Sequence, residues 1–277
     1  MKAFRLLIFL LLPISMFGQS YNSIVSDESV MYAQTKQVNQ FFRRFNGEED
    51  VQGKRLTSGD QFIRDPKMRK KYLPILFDLS SSLVNKDFKE VFINQVQNPK
   101  SPVFLNFHGK DWYAEVNTTF TYKNQSVNLI LYLKIESQNL GYKWVFSNVY
   151  FDKFDKWFKH VGDTTNNKIF LHPMSHELDF MNINKVFRDE ENLDYYLAAD
   201  YRPDHMALFV EEVKSGNLKF EAVNNVKFHF FQVPGWYFEL VYFNRNDKNS
   251  GWLISNLLRV NEKEKRELIR NYTHENE

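Results

Sequence analysis

The chain carries no cysteine in 277 residues, which removes disulfides, thiolate metal sites, a cysteine nucleophile and the acylated cysteine of a lipoprotein anchor together. Glycine is scarce, at 10 residues, and no GxGxxG, P-loop or GxSxG pattern occurs, so neither a phosphate-cradling loop nor a nucleophile elbow is expected. Net charge is nearly absent too. Lys and Arg number 36 against 34 Asp and Glu, a balance of +2 with both signs scattered, so no long-range field draws in a polyanion and no nucleic-acid partner is expected. After Leu12 no apolar run approaches the roughly 20 residues of a membrane span, so no transmembrane segment is expected once the N-terminus is removed.

What is abundant is aromatic. With 27 Phe, 14 Tyr and 43% apolar residues, the composition predicts a globular protein with a ring-filled core. At the N-terminus Lys2 and Arg5 precede the apolar run Leu6 to Leu12, and Pro13 to Ser20 bring a breaker with small and polar residues, the layout of a secretory signal peptide. Residues 1–20 are read as that signal, with cleavage between Phe17 and Tyr21. The mature protein is expected to be soluble, in the periplasm or outside the cell, and not a lipoprotein.

The sequence also echoes itself three times in one order. Val38 to Asp50 faces Met181 to Asn192, Asp87 to Val96 faces Asp204 to Val213, and KWVFSNV (Lys143 to Val149) faces GWLISNL (Gly251 to Leu257). The last pair aligns Trp144, Ser147 and Asn148 with Trp252, Ser255 and Asn256. The first copy is the longer, its excess lying around Arg69 to Leu83 and Asn98 to Asp111. The polar stretch His160 to Lys168 is the best boundary, giving a first α+β domain over 21–165 and a second over 166–277.

Each copy places helices before strands. In the first, Tyr32 to Phe45, Arg69 to Leu79 (interrupted by Pro74) and Lys86 to Val96 read as helices, and Trp112 to Tyr122, Val127 to Ile135 and Tyr142 to Phe151 as strands. In the second, Glu177 to Arg188 and His205 to Lys214 precede strands at Asn217 to Phe231, Trp236 to Asn244 and Gly251 to Val260, with hairpin turns at Pro234-Gly235 and Asn249-Ser250-Gly251. Asn261 to Tyr272 is charged nearly all round and is read as a frayed terminal helix. Helices followed by a three-stranded antiparallel meander, the last strand bearing a Trp, resemble the nuclear-transport-factor-two-like superfamily of cone-shaped α+β folds. That resemblance is one of element order over Ser20 to Val260. It implies two domains in which a curved sheet wraps helices around a pocket, in a superfamily that includes isomerases, dehydratases and non-enzymatic binding modules. A cystatin-like sheet on one helix is the alternative.

Few residues propose chemistry. His172 and His176 in HPMSHE are four apart, but Pro173 interrupts them and Ser175 suits a helix N-cap, so neither a metal site nor any cofactor is expected. Acid-base work in a cone-shaped pocket would use a strand carboxylate opposite a hydroxyl or imidazole, for which Glu115 and Tyr132, then Glu221, His229 and Glu239, are the candidates. On an alternating strand such carboxylates are expected on the solvated face. In the repeated stretch, two-residue alternation puts Trp144, Phe146 and Asn148 on one face, and Trp252, Ile254 and Asn256 on another, with Ser147 and Ser255 pointing away. Each Trp is expected to be buried against its own copy's helices, and each Asn to bond a helix end or line a pocket.

These readings point to an exported binding or assembly module with an unknown protein or small-molecule ligand, its candidate contacts being Trp144, Asn148, Trp252, Asn256, Tyr132, Glu115 and Glu239. The alternative is a small-molecule isomerase, dehydratase or hydrolase using one pocket. A sugar binder, the third class, would expose Trp112, Tyr113, Trp236 and Tyr237 in one patch.

Overall fold

The structure, a computed structural model, describes residues 38–50, 54–139, 141–163, 165–166, 168–170, 184–245 and 249–273. Two meanders supply the strands: β1 (Trp112–Tyr122), β2 (Gln125–Gln138) and β3 (Gly141–Tyr150), then β4 (Leu218–Phe230), β5 (Trp236–Phe243) and β6 (Gly251–Arg259). Local residues set the turns. Lys123 and Asn124 both take positive φ, 49° and 63°, the two-residue mirror-type turn whose twist suits a hairpin. Between β4 and β5, Pro234 precedes Gly235 at φ 78°, and the Trp236 N–H donates to Val233 O at 3.1 Å.

All the strands form one antiparallel, six-stranded sheet in the order β3-β2-β1-β4-β5-β6. Two separately packed sheets are therefore not what the chain builds: β1 and β4 pair along their whole length, from Trp112 opposite Phe230 to Tyr122 opposite Leu218. The sheet is strongly curved. On a flat sheet Trp144 of β3 would stand about 14 Å from Phe228 of β4, three strand spacings away. Their rings lie 6.3 Å apart, so the sheet curls around one face, its inner face.

Helices fill that face crosswise. α1 (38–46) carries Val38, Phe41, Phe42 and Phe45 as one buried stripe, and α3 (Lys86–Val96), capped by the Asn85 side chain, buries Phe92 and Val96. Phe41 and Phe45 meet Phe238, Phe42 meets Phe230, and Phe92 meets both Trp236 and Phe238, all in the second meander. α2 (Pro66–Tyr72), with Asp65 as N-cap, gives way at Pro74 to a 3-10 turn, Leu73–Leu76, because proline lacks the N–H an α-helix would need there. Two short helices, α4 (Asp152–Lys156) and α5 (Asn184–Phe187), follow β3. α6 (His205–Lys214), from the second half, sends Phe209 against Phe120 and Phe146 of the first meander. Neither Trp of the repeat sits on its own helices as expected. Trp252 is buried beside Phe228 and Tyr242 in a cluster shared with α1 and α3, and half-buried Trp144 lies against Trp112 and Phe228.

α7 (Glu262–Arg270) covers the outer face. It is not frayed: Asn261 and Glu264 form a reciprocal capping box, Lys265 bonds Asp111 at 2.7 Å, and Leu268, Ile269 and Tyr272 pack on the sheet. Among the described residues no helix is long and apolar enough to cross a membrane. Of the expected helix Glu177 to Arg188, Asn184–Phe187 is helical and Arg188 is in a turn; residues 177–183, HPMSHE, the signal stretch 1–20 and the 32–37 start of the first expected helix lie outside the described residues.

The echoed stretches share a backbone irregularity that alternation could not show. Opposite Tyr132 and Leu133 stand Asn148 and Phe146, and opposite Glu239 and Leu240 stand Asn256 and Ile254, so Ser147 and Ser255 are each the extra residue of a β-bulge. The inserted residue reverses the alternation. Trp144, Phe146, Trp252 and Ile254 keep to the inner face, while Asn148 and Asn256 turn to the outer one with their cross-strand partners Tyr132 and Glu239. The expected Trp-Asn face is corrected accordingly.

Candidate functional site

Directly paired residues share a face, so the register lays two polar rows side by side on the outer face. One runs Asn148, Tyr132, Glu115, Lys227 across β3, β2, β1 and β4. The other runs Asn256, Glu239, His229, Tyr113 across β6, β5, β4 and β1. Each row starts at the Asn that follows a bulged Ser. Five of the seven sequence-nominated residues, Asn148, Tyr132, Glu115, Asn256 and Glu239, therefore lie in two adjacent rows, with His229 between them; Trp144 and Trp252 lie on the opposite face. Glu221 is remote and exposed, and accepts from the Thr121 hydroxyl.

A polarised chain links the rows. His229 Nε2 lies 3.0 Å from Glu115 Oε2 and its Nδ1 3.0 Å from the Tyr237 hydroxyl. A carboxylate only accepts, so Nε2 carries the proton that faces Glu115, and Nδ1 is engaged by the Tyr237 hydroxyl. Burial by itself would raise the Glu115 pKa, but the His229 hydrogen bond and charge, with Lys227, hold it below the usual carboxylate range. Around this chain Glu239 accepts from the Ser255 hydroxyl at 3.0 Å and lies 3.5 Å from Lys227 Nζ. The expectation that Glu115 and Glu239 sit on a solvated face is thus corrected, since α7 and its following residues cover them.

Tyr272 is the cover. Its ring stacks on His229 at 4.6 Å and on Tyr113 at 5.4 Å, and meets Tyr132 edge-on at 5.3 Å. Ser147 Oγ donates to Tyr272 O at 2.6 Å and Asn148 Nδ2 to Asn271 O, the C-cap of α7, at 3.2 Å. So Asn148 bonds a helix end, whereas Asn256 Oδ1 has no partner among the described residues. Under this cover His229 is 3% exposed, Tyr237 6% and Tyr272 7%. Burial, then the charges of Glu115 and Tyr150, pushes the Tyr132 hydroxyl up to about 12, and burial raises Tyr237 and Tyr272 as well. Tyr272 and Lys227 were not read from the sequence, and Tyr237 was read only as an exposed ring of the sugar-binding alternative. For Tyr272 a signal existed, because Leu268, Ile269 and Tyr272 form an apolar stripe at helical spacing behind the Asn261 cap.

Beside the covered rows, a groove of about 890 Å³ opens between α7 and the β2-β3 end of the sheet. Its cations are Lys110, Lys134, Lys265 and Arg266, with Asp111 and Glu136 opposed to them. Lys265 pairs with Asp111 and Lys134 with Glu136, while Lys110 and Arg266 make no ion pair among the described residues. Exposed Tyr142 stacks on His108 at 4.0 Å and forms one wall. The four rings a sugar-binding patch would need, Trp112, Tyr113, Trp236 and Tyr237, are all buried. Compared with protein-family models, curated proteins and solved structures, the chain gives no match.

Proposed function

We propose that the protein is a non-catalytic binding or assembly module whose ligand, anionic where it touches the protein, occupies the groove between α7 and the β2-β3 end of the sheet. One observation carries this reading. Both imidazole nitrogens of His229 are engaged within the protein and Tyr272 covers the ring, so the best-formed acid-base chain has no free proton-transfer atom facing a cavity. The groove has the size of small-ligand and peptide sites, and two of its cations are unneutralised by the described residues. Histidine acylation by diethyl pyrocarbonate tests the cover: exposed His108 reacts while His229 stays shielded until the fold opens. Equal reactivity of the two would sink the reading and favour the enzyme alternative, which rests on the Glu115-His229-Tyr237 chain and needs Tyr272 to lift away.

The finer architecture belongs to the same proposal. We read the chain as a duplicated, exported protein related in layout to the cone-shaped superfamily, with a boundary near residue 165. The symmetric strand order, the paired bulges at Ser147 and Ser255, and the matching polar rows support the duplication. The N-terminal layout supports export, and mass spectrometry of the native protein should find a chain starting between Phe17 and Tyr21.

A further inference from the structure

The two edges of the sheet are equivalent in the echo but not in their surroundings. Along β6 an extended segment lies in parallel: Phe77 bridges Ile254, the Asp78 N–H donates to Ile254 O at 2.9 Å, and Ser81 Oγ donates to Ser255 O at 2.6 Å. Phe77 is fully buried against Phe92, and the Asp78 carboxylate takes Arg245 at 2.8 Å. At the corresponding place on β3 stands Phe146, where no described residue adds a strand. Ile254 is 0% exposed and Phe146 54%, with Tyr142 equally bare two pleats away. The bulge that re-aims β6 beside its covering segment is present on β3 as well, where Ser147 Oγ donates to the Tyr272 carbonyl but no described segment adds a strand.

An unpaired strand edge with bare rings is a template for another strand unless it is blocked. The surroundings of β3 say which kind. Lys143 lies on the strand, Lys134 on its neighbour, and the groove that begins at Tyr142 adds Lys110 and Arg266. Among the described residues the β2-β3 turn shows no equivalent of the Arg245 and Asn249 clamp that holds Asp78 and Leu79, which leaves these lysines and Arg266 as the cations beside the edge.

Resting on the binding-module reading, we propose that the free edge of β3 takes an extended acidic segment of a partner protein in parallel. An apolar residue of that segment would cover Phe146, and a neighbouring carboxylate would face the groove cations, as Phe77 and Asp78 do on β6. Backbone pairing supplies affinity in such strand addition, and side-chain pockets supply specificity.

The probe is a labelled peptide copying Ile75 to Leu83, with a version carrying Lys at the Asp78 position as control. The full chain is titrated by fluorescence anisotropy and followed by amide hydrogen exchange. Binding should protect β3 amides, weaken by about tenfold or more in F146E and in the double variant K110E/R266E, and weaken with salt. Binding that leaves β3 unprotected, or is unchanged in F146E, overturns the proposal. So do β3 amides already protected in the free chain, which would mean that the chain's own residues fill the edge. A protein that sediments as a dimer and becomes monomeric in F146E also overturns it, by making the occupant a second copy. If the peptide fails while His229 remains shielded from acylation, only the edge proposal falls; a reactive His229 removes the module reading itself.

Discussion

Dividing the chain at residue 165 should destroy both halves, and the size of the effect follows from the crosswise packing. Phe41, Phe42, Phe45 and Phe92, all on helices of the first half, are nearly fully buried, and half of their ring contacts are with Phe230, Trp236 and Phe238 of the second. Burying a Phe side chain contributes about 1.5 to 3 kcal/mol, so losing the cover of four removes up to about 6 to 12 kcal/mol. That matches the whole stability of an ordinary domain, about 5 to 15 kcal/mol. The second half fares no better, since its β4 edge loses β1 and its inner face loses α1 and α3. Residues 21–165 and 166–277, produced separately, should each lack a cooperative thermal transition and bind a hydrophobic dye. Mixed or co-expressed, they should recover the urea transition of the intact chain. A sharp independent melt of either half would refute crosswise packing as the main source of stability.

Trp252→Ala should cost about 3 to 5 kcal/mol, because the ring is buried in the shared core, whereas Trp144→Ala should cost about half that from its half-exposed edge position; equal shifts in urea midpoint would contradict the placement. Glu115 has a folded pKa below its unfolded value, so its contribution is present above the ordinary value of 4.5 and is lost as pH falls through the folded pKa; E115Q should flatten the acid limb of melting temperature against pH. Tyr132, Tyr237 and Tyr272 have raised pKa values, so their contribution holds below the ordinary value of 10.0 and is lost only as pH climbs through the folded values. Tyrosinate absorbance should show these three ionising together with alkaline unfolding, at about 12 or above, and normal titration of all 14 Tyr would deny the covered cluster. Tyr272→Ala should expose His229 to acylation without unfolding the chain, since it removes one ring stacked at 4.6 Å while the inner face is untouched; unchanged reactivity would show that Tyr272 is not the cover.

Local pattern by itself determined a good part of this protein. Alternation over Val127 to Ile135 and the stripe Val38, Phe41, Phe42, Phe45 place a strand and a helix correctly, because each periodicity depends only on the geometry of its own element. Glu115, Tyr132, His229 and Glu239 were legible as candidates from residue type and strand position. Three things were decided only in three dimensions. Whether two meanders make two sheets or one depends on β1 meeting β4 across some hundred residues, and a one-dimensional pattern is identical in both cases. Which helix covers which meander depends on how the curled sheet closes over rings from either half. The facing of Asn148 and Asn256 turns on a single inserted residue at Ser147 and Ser255, and a bulge leaves no mark in hydrophobic alternation until the partner strand is known. The echo that suggested two domains thus marks the two outer strands of one sheet, where each Ser bends the backbone and each Asn begins a polar row that ends in the shared middle.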